Sequence, residues 1–164
     1  MKANNKFISP ISSFDIHLEN YQSLIREFRK NKDISFMKII LKDCLPSELK
    51  NKVFFDDYDA LVLTDIDQNI LWVNDGFNEM TGYSKKFAVG KKPTFLQGEK
   101  TSKIVKNQLK KELLNKHKFN GSLINYRKNG ETYLCQISIL PLYNNNKNLK
   151  YYLAIEKELE VVSS

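Results

Sequence analysis

Reactive side chains are scarce in this 164-residue chain. It has two cysteines, Cys44 and Cys135, and two histidines, His17 and His117, each pair far apart in sequence. Two thiols cannot build a disulfide framework, and both are expected to be free and buried. With no converging Cys, His, Asp and Glu residues, neither a zinc site nor a nucleophile with its base is expected. Paired catalytic carboxylates and a phosphate-cradling glycine loop are also missing, so no enzymatic activity is expected. No apolar run approaches the roughly 20 residues that cross a bilayer, so no membrane span is expected. The opening MKANNKFISPISSF has neither the apolar stretch nor the cleavage site of a secretory signal, which implies a cytoplasmic protein.

What is present is enough for one domain plus an extension. The chain is 41% hydrophobic and 12% aromatic, enough to bury a core. Its net charge of +7 is uneven: residues 84–118 carry 11 lysines against Glu99 and Glu112, a local balance of +9. Such a run attracts anions, but no aromatic interleaving or nucleic-acid motif accompanies it. It reads as a solvated face, and no nucleic-acid partner is expected.

Residues 1–12 read as a polar tail. From Ser13, Leu18, Tyr21, Leu24, Ile25 and Phe28 fall on one helical face. Asp33 is placed to cap a second helix carrying Ile34, Met37, Ile40 and Leu41, which Pro46 breaks. Ser47 suits the cap of a short turn through SELKNK. These apolar stripes must be buried against the following domain or against a second copy.

Near Phe54 the period changes. DALVLTD and ILWVN read as two strands joined by a turn. Asn74 and Asp75 suit a cap for the short helix that carries Phe77 and Met80 and stops at Gly82. Trp72 reads as core. Ser84 caps a further turn that ends at Gly90, and GKKPTFLQGEKT follows as a loop. Ser102 caps a longer helix to about Lys116, with Ile104, Val105, Leu109 and Leu113 inward. FNGSLINYRKNGETYLCQISILPL reads as a long hairpin around Asn129-Gly130, with Tyr133, Cys135, Ile137 and Ile139 on one face. KYYLAIEKE is the last strand. The expected fold is α+β: a five-stranded antiparallel sheet with short helices on one face, preceded by N-terminal helices. Short helices leave gaps against a sheet, so a small-molecule pocket is expected there. The expected divisions are a helical extension over 1–53, a domain over 54–160 and a tail over 161–164.

TDIDQNILWVNDGFNEMTGYS, GKKPTFLQGEKT and FNGSLINYRKNGETYLCQISILPLYN, in that order, resemble the PAS family over about residues 55–160. Within it they are most similar to the light-oxygen-voltage (LOV) branch, whose members hold flavin mononucleotide (FMN) and form a light-driven flavin–cysteine adduct. Pro93 stands where the resemblance places the adduct cysteine, so that chemistry is not implied here. Gln97 and Asn125 match flavin-holding positions. Cys135 stands at a second asparagine position and Glu156 at a glutamine position. Lys110 keeps the charge of a phosphate-binding arginine without its fork, while Thr94 and Lys92 depart from an arginine and an asparagine. Phe95, Leu96 and Gln97 suit a lid. Losing three partners at about 1–3 kcal/mol each would weaken a flavin by several orders of magnitude.

Gln97 suits holding its own loop shut as well as a ligand contact. Asn125 and Glu156 each read equally as pocket groups or as ordinary strand residues. The function implied is a sensory, signal-transducing PAS module that senses a small ligand or mediates protein contacts. A homodimer through the N-terminal helices and a separate signalling output protein are the expected partners. The cofactor is left open. The alternative is an FMN-binding light or redox sensor that works by flavin photoreduction.

Overall fold

The structure, a computed structural model, describes residues 10–44, 49, 53 and 57–160. Helix α1 runs unbroken over Pro10–Leu41, about 48 Å at 1.5 Å per residue. Two expectations are corrected here. The helix already includes Pro10, inside the stretch read as tail. Asp33 starts no second helix: residues 29–32 hold neither proline nor glycine, so nothing interrupts the ladder. The carboxylate of Asp33 is engaged elsewhere, as described below. The break at Pro46, the cap at Ser47, the change of period at Phe54 and the tails 1–9 and 161–164 lie outside the described residues.

Five strands form one antiparallel sheet: β1 (Ala60–Thr64), β2 (Ile70–Val73), β3 (Phe119–Tyr126), β4 (Thr132–Tyr143) and β5 (Leu149–Leu159). Their spatial order is β2-β1-β5-β4-β3. Between β2 and β3 in sequence come α2 (Asp75–Thr81), α3 (Lys85–Ala88), a 3-10 turn (Pro93–Leu96) and α4 (Lys103–Leu114). Side chains of Asn74, Ser84 and Ser102 cap the three helices by accepting from the amides of Phe77, Phe87 and Val105. Asp75 is not a cap; its carboxylate meets Lys32 and Lys85, each at 2.6 Å. In the β3–β4 turn Gly130 takes φ 89°, while Asn129 is not among the positive-φ residues.

Both faces of the sheet are covered: the stripe of Ile34, Met37 and Leu41 is buried against the domain, one of the two outcomes expected for it. Phe77, Met80, Leu96, Phe119, Cys135 and Ile137 pack between the short helices and one face. Met37, Leu41, Leu61, Leu63, Trp72 and Leu153 pack on the other, under the C-terminal half of α1. Ala60 and Val62 therefore point one way and Leu61 and Leu63 the other, and all of β1 is buried. Trp72 is core, stacked on Phe36 with ring centroids 5.1 Å apart. On β4, Tyr133, Cys135, Ile137 and Ile139 all face the short-helix side, as their alternation predicts. On α4, Leu113 is buried and Val105 and Leu109 pack on the core, but Ile104 points outward at 80% exposure. The N-terminal half of α1 stands free of the sheet, with Tyr21, Leu24 and Phe28 exposed by 63–71%.

Candidate functional site

A cavity of about 70 Å³ lies between the sheet and its short helices. It has room for roughly five water-sized sites at about 10–15 Å³ each. Val62 and Thr64 of β1, Leu123 of β3, Ile137 of β4 and Ala154 of β5 form its floor. Leu109 and Leu113 of α4 form one wall, and Pro93, Thr94, Leu96 and Gln97 form the roof.

The roof is the GKKPTFLQGEKT loop, pinned at both ends. Gly90 N–H donates to Ile70 O at 2.8 Å, and Ile70 N–H returns a bond to Lys91 O at 2.9 Å. Further on, Thr101 Oγ1 accepts from Gly98 N–H at 2.9 Å and donates to Ile124 O at 2.6 Å. Lys100 N–H donates to Tyr126 Oη at 2.9 Å. Gly98 sits so close to this tyrosine that a Cβ there would fall 2.5 Å from the ring. Pro93 opens the 3-10 turn, where its fixed φ is an advantage.

Of the six residues singled out from the sequence, Gln97, Asn125 and Glu156 are brought together on this cavity. Asn125 is 4% exposed and Glu156 3%, and Asn125 Oδ1 and Glu156 Oε2 have no hydrogen-bond partner. An unmet buried acceptor costs about 1–3 kcal/mol. Burial pushes the Glu156 carboxyl up to about 7. The hydroxyl of Tyr133 lies beside the Asn125 side chain and feels the charge of Glu156, but makes no hydrogen bond of normal geometry.

The other three are placed elsewhere. Cys135 is fully buried in the core but off the cavity lining, and burial pushes its thiol far above the range in which a thiolate forms. Lys110 is exposed on α4, one residue past the inward stripe of Val105, Leu109 and Leu113, where its charge stays in water. Phe95 turns away into a ring cluster, edge-on to Tyr83 at 5.0 Å and to Phe87 at 5.4 Å. Cys44 lies in the cluster beneath α1, on the opposite face of the sheet.

The sequence reading missed Thr64, Gln68 and Tyr152 on the cavity lining. Gln68 sits in the β1–β2 turn with φ 67°, a place that carries no periodic signal. It also missed a polar node outside the cavity. Asp33 accepts from Asn74 Nδ2 at 2.9 Å and from Tyr58 Oη at 3.1 Å, joining α1 to the domain.

A flavin does not fit these residues. Drug-sized ligands occupy about 300–1,000 Å³, far more than the 70 Å³ found here. Neither cysteine lines the cavity, and Lys110, the one cation proposed for a phosphate, does not reach it.

The PAS domain family profile matches residues 59–160, well over half of the chain, so the chain belongs to the PAS domain family. A blue-light photoreceptor of Listeria innocua is 36% identical over 103 residues, covering 61% of this chain and 40% of the relative. A nitrogen fixation regulatory protein of Klebsiella oxytoca is 33% identical over 102 residues, covering 62% of this chain and 21% of the relative. Among solved structures, the LOV domain of a blue-light activated histidine kinase from Erythrobacter litoralis is 31% identical. It superposes with a TM-score of 0.59 over 62% of this chain and 96% of that domain. The chain thus spans less than half the length of these two curated relatives. Among the described residues, no helix is long and apolar enough to cross a membrane, and no three metal-ligating side chains group together.

Proposed function

We propose that this chain is a non-enzymatic sensory module of signal transduction that reads a small ligand in the cavity, without cysteinyl-adduct photochemistry. One observation carries the reading: two buried acceptors, Asn125 Oδ1 and Glu156 Oε2, stand unpartnered on the wall of a cavity. Buried polar atoms are normally paired, and a pocket that only fills space has no use for two that are not. Relatives named for light reception and for regulation of nitrogen fixation support a sensing role. Pro93 on the roof and two cysteines off the lining support the absence of an adduct.

The output runs through α1, whose C-terminal half rests on the outer face of the sheet and whose N-terminal half carries an exposed apolar stripe. That stripe is the surface for a homodimer, and a separate signalling protein receives the result. Charge along α1 is uneven: Asp15 and Glu19 come first, then Arg26, Arg29, Lys30 and Lys32 outnumber Glu27 and Asp33, with Arg29 and Lys32 paired to Glu79 and Asp75 of the same chain. Two copies laid antiparallel set opposite charges against each other, while a parallel pair sets like against like.

Native mass spectrometry of the protein as purified tests both parts. The expected result is a homodimer carrying an adduct smaller than a flavin. A monomer with no adduct defeats the reading.

A further inference from the structure

We infer that the cavity recognises a small organic cation with several N–H donors, of the amidinium, guanidinium or short alkylammonium class, with Glu156 as its counter-charge. The inference rests on the ligand-sensing reading above and names the class of ligand.

Charge is the first reason. Among the described residues lining the cavity, Glu156 is the only one with a charged side chain. No lysine or arginine lines it, although the chain as a whole carries +7. An anion would meet a carboxylate and no cation. A cation is repelled by the surrounding surface and has this one buried acid to meet.

Hydrogen-bond inventory is the second. Of the three orphaned buried atoms, the two on the cavity lining are acceptors, Asn125 Oδ1 on β3 and Glu156 Oε2 on β5, while the third, the Tyr133 hydroxyl, lies off the lining. Two lining hydroxyls have already committed their protons: Thr64 Oγ1 donates to Asp65 O at 3.0 Å and Tyr152 Oη donates to Leu113 O at 2.8 Å. The unpartnered atoms on the lining are thus acceptors, and what satisfies them is a donor.

Size and lining supply the rest. About 70 Å³ suits a molecule of four to six non-hydrogen atoms, at about 10–15 Å³ for each water-sized site. A bare metal ion is the wrong guest. Calcium takes about 6–8 oxygen ligands, and the described residues hold no group of three Asp, Glu, His or Cys side chains. The apolar walls of Val62, Leu109, Leu123 and Ile137 favour a cation with a methyl, alkyl or flat face.

The test uses the full chain and three near-isosteric probes: acetamidinium, acetamide and acetate. Binding is measured by titration calorimetry and by the thermal midpoint, with sodium chloride matching ionic strength. The wild type is expected to bind acetamidinium at least about tenfold more tightly than acetamide and to show no uptake of acetate. Glu156→Gln, which removes a buried charge and keeps the shape, is expected to lose at least about tenfold in acetamidinium affinity. Asn125→Ala is expected to weaken it several-fold. Acetamidinium binding unchanged in Glu156→Gln overturns the inference. So does acetamide or acetate binding as tightly as acetamidinium, although the ligand-sensing reading then stands with a different class. If none of the three binds, the cation class is wrong, and the adduct sought by native mass spectrometry decides the sensing reading separately.

Discussion

Asn74 donates its side-chain amide to Asp33 Oδ2 at 2.9 Å while its Oδ1 accepts from the amides of Leu61 at 2.9 Å and Phe77 at 3.1 Å. One buried side chain thus ties α1 to β1 and to the start of α2. Asn74→Ala removes the cap, worth about 1 kcal/mol, and leaves the Leu61 amide unmet, at about 1–3 kcal/mol. The expected loss is about 2–4 kcal/mol, read from urea midpoints. Asn74→Ser keeps a capping oxygen and should fall between the two. An Asn74→Ala protein as stable as the wild type would show that the node is not holding α1.

Asp33 answers to pH. Burial is the largest influence on its carboxyl and raises it above the ordinary 3.8, against the lowering by its bonds to Asn74 and Tyr58. The neutral form is therefore the one the fold favours. The stability this gives is fully present below the ordinary value and is lost as pH rises through the raised folded value. Asp33→Asn offers an oxygen to the same two donors without a charge. It should match the wild type in acid and exceed it at neutral pH, with the gap opening above 3.8. Urea midpoints across that window check it, and a gap that stays constant with pH refutes it.

The sheet was legible because strand alternation and turn residues are local signals. The pairing of Tyr133, Cys135, Ile137 and Ile139 on one face needed only their spacing. The caps at Asn74, Ser84 and Ser102 were equally local. What was illegible depends on contacts between distant segments. Asp33 looks like a cap because aspartate often is one; its real partners lie 25 and 41 residues away. Cys135 stands at a flavin-holding asparagine position without matching it, and whether a short side chain reaches a cavity depends on packing that a spacing does not encode. The same holds for Phe95, which prefers two other rings to the cavity.

Gly98 and Tyr126 form a coupled pair. A methyl group at residue 98 would sit 2.5 Å from the tyrosine ring, so Gly98→Ala forces the ring or the loop to move. Overpacking of this kind costs about 1–3 kcal/mol. The cost should shrink when Tyr126→Leu removes the ring, a non-additivity that a double-mutant cycle reads. Strict additivity would place the strain elsewhere.

The exposed stripe of α1 gives a prediction about assembly. Phe28 is 71% exposed and adds nothing to the fold of one copy. Phe28→Glu should leave the thermal midpoint of the domain nearly unchanged and shift the molar mass by light scattering from two copies to one. Charge reversal at Asp15 and Glu19 together should weaken the same dimer, and Arg26→Glu in the same chain should restore part of it; Arg29 is left in place because it pairs with Glu79. A mass indifferent to all of these would reject the antiparallel pair.

Glu156 gives the sharpest pH test, because it is 3% exposed and its carboxyl is pushed up to about 7 by burial. The titratable groups that feel its charge, Tyr133 and Cys135, are both held neutral by burial. The folded value lies above the ordinary 4.5, so the protonated form is the favoured one. Its stability is fully present below 4.5 and is lost as pH rises through about 7. At 1.36 kcal/mol for each step of one pKa, the loss is about 3 kcal/mol in order of magnitude. Glu156→Gln should remove that fall and be more stable than the wild type at pH 8, with the two converging near pH 4 (about the ordinary carboxyl value). Acetamidinium should restore the wild type's neutral-pH stability and do nothing for Glu156→Gln, since the bound cation supplies the partner that the buried carboxylate otherwise does without. A wild-type profile that is flat between pH 5 and 8, or one that rises (bracketing the shift), would mean that Glu156 is already ionised and partnered in the folded chain.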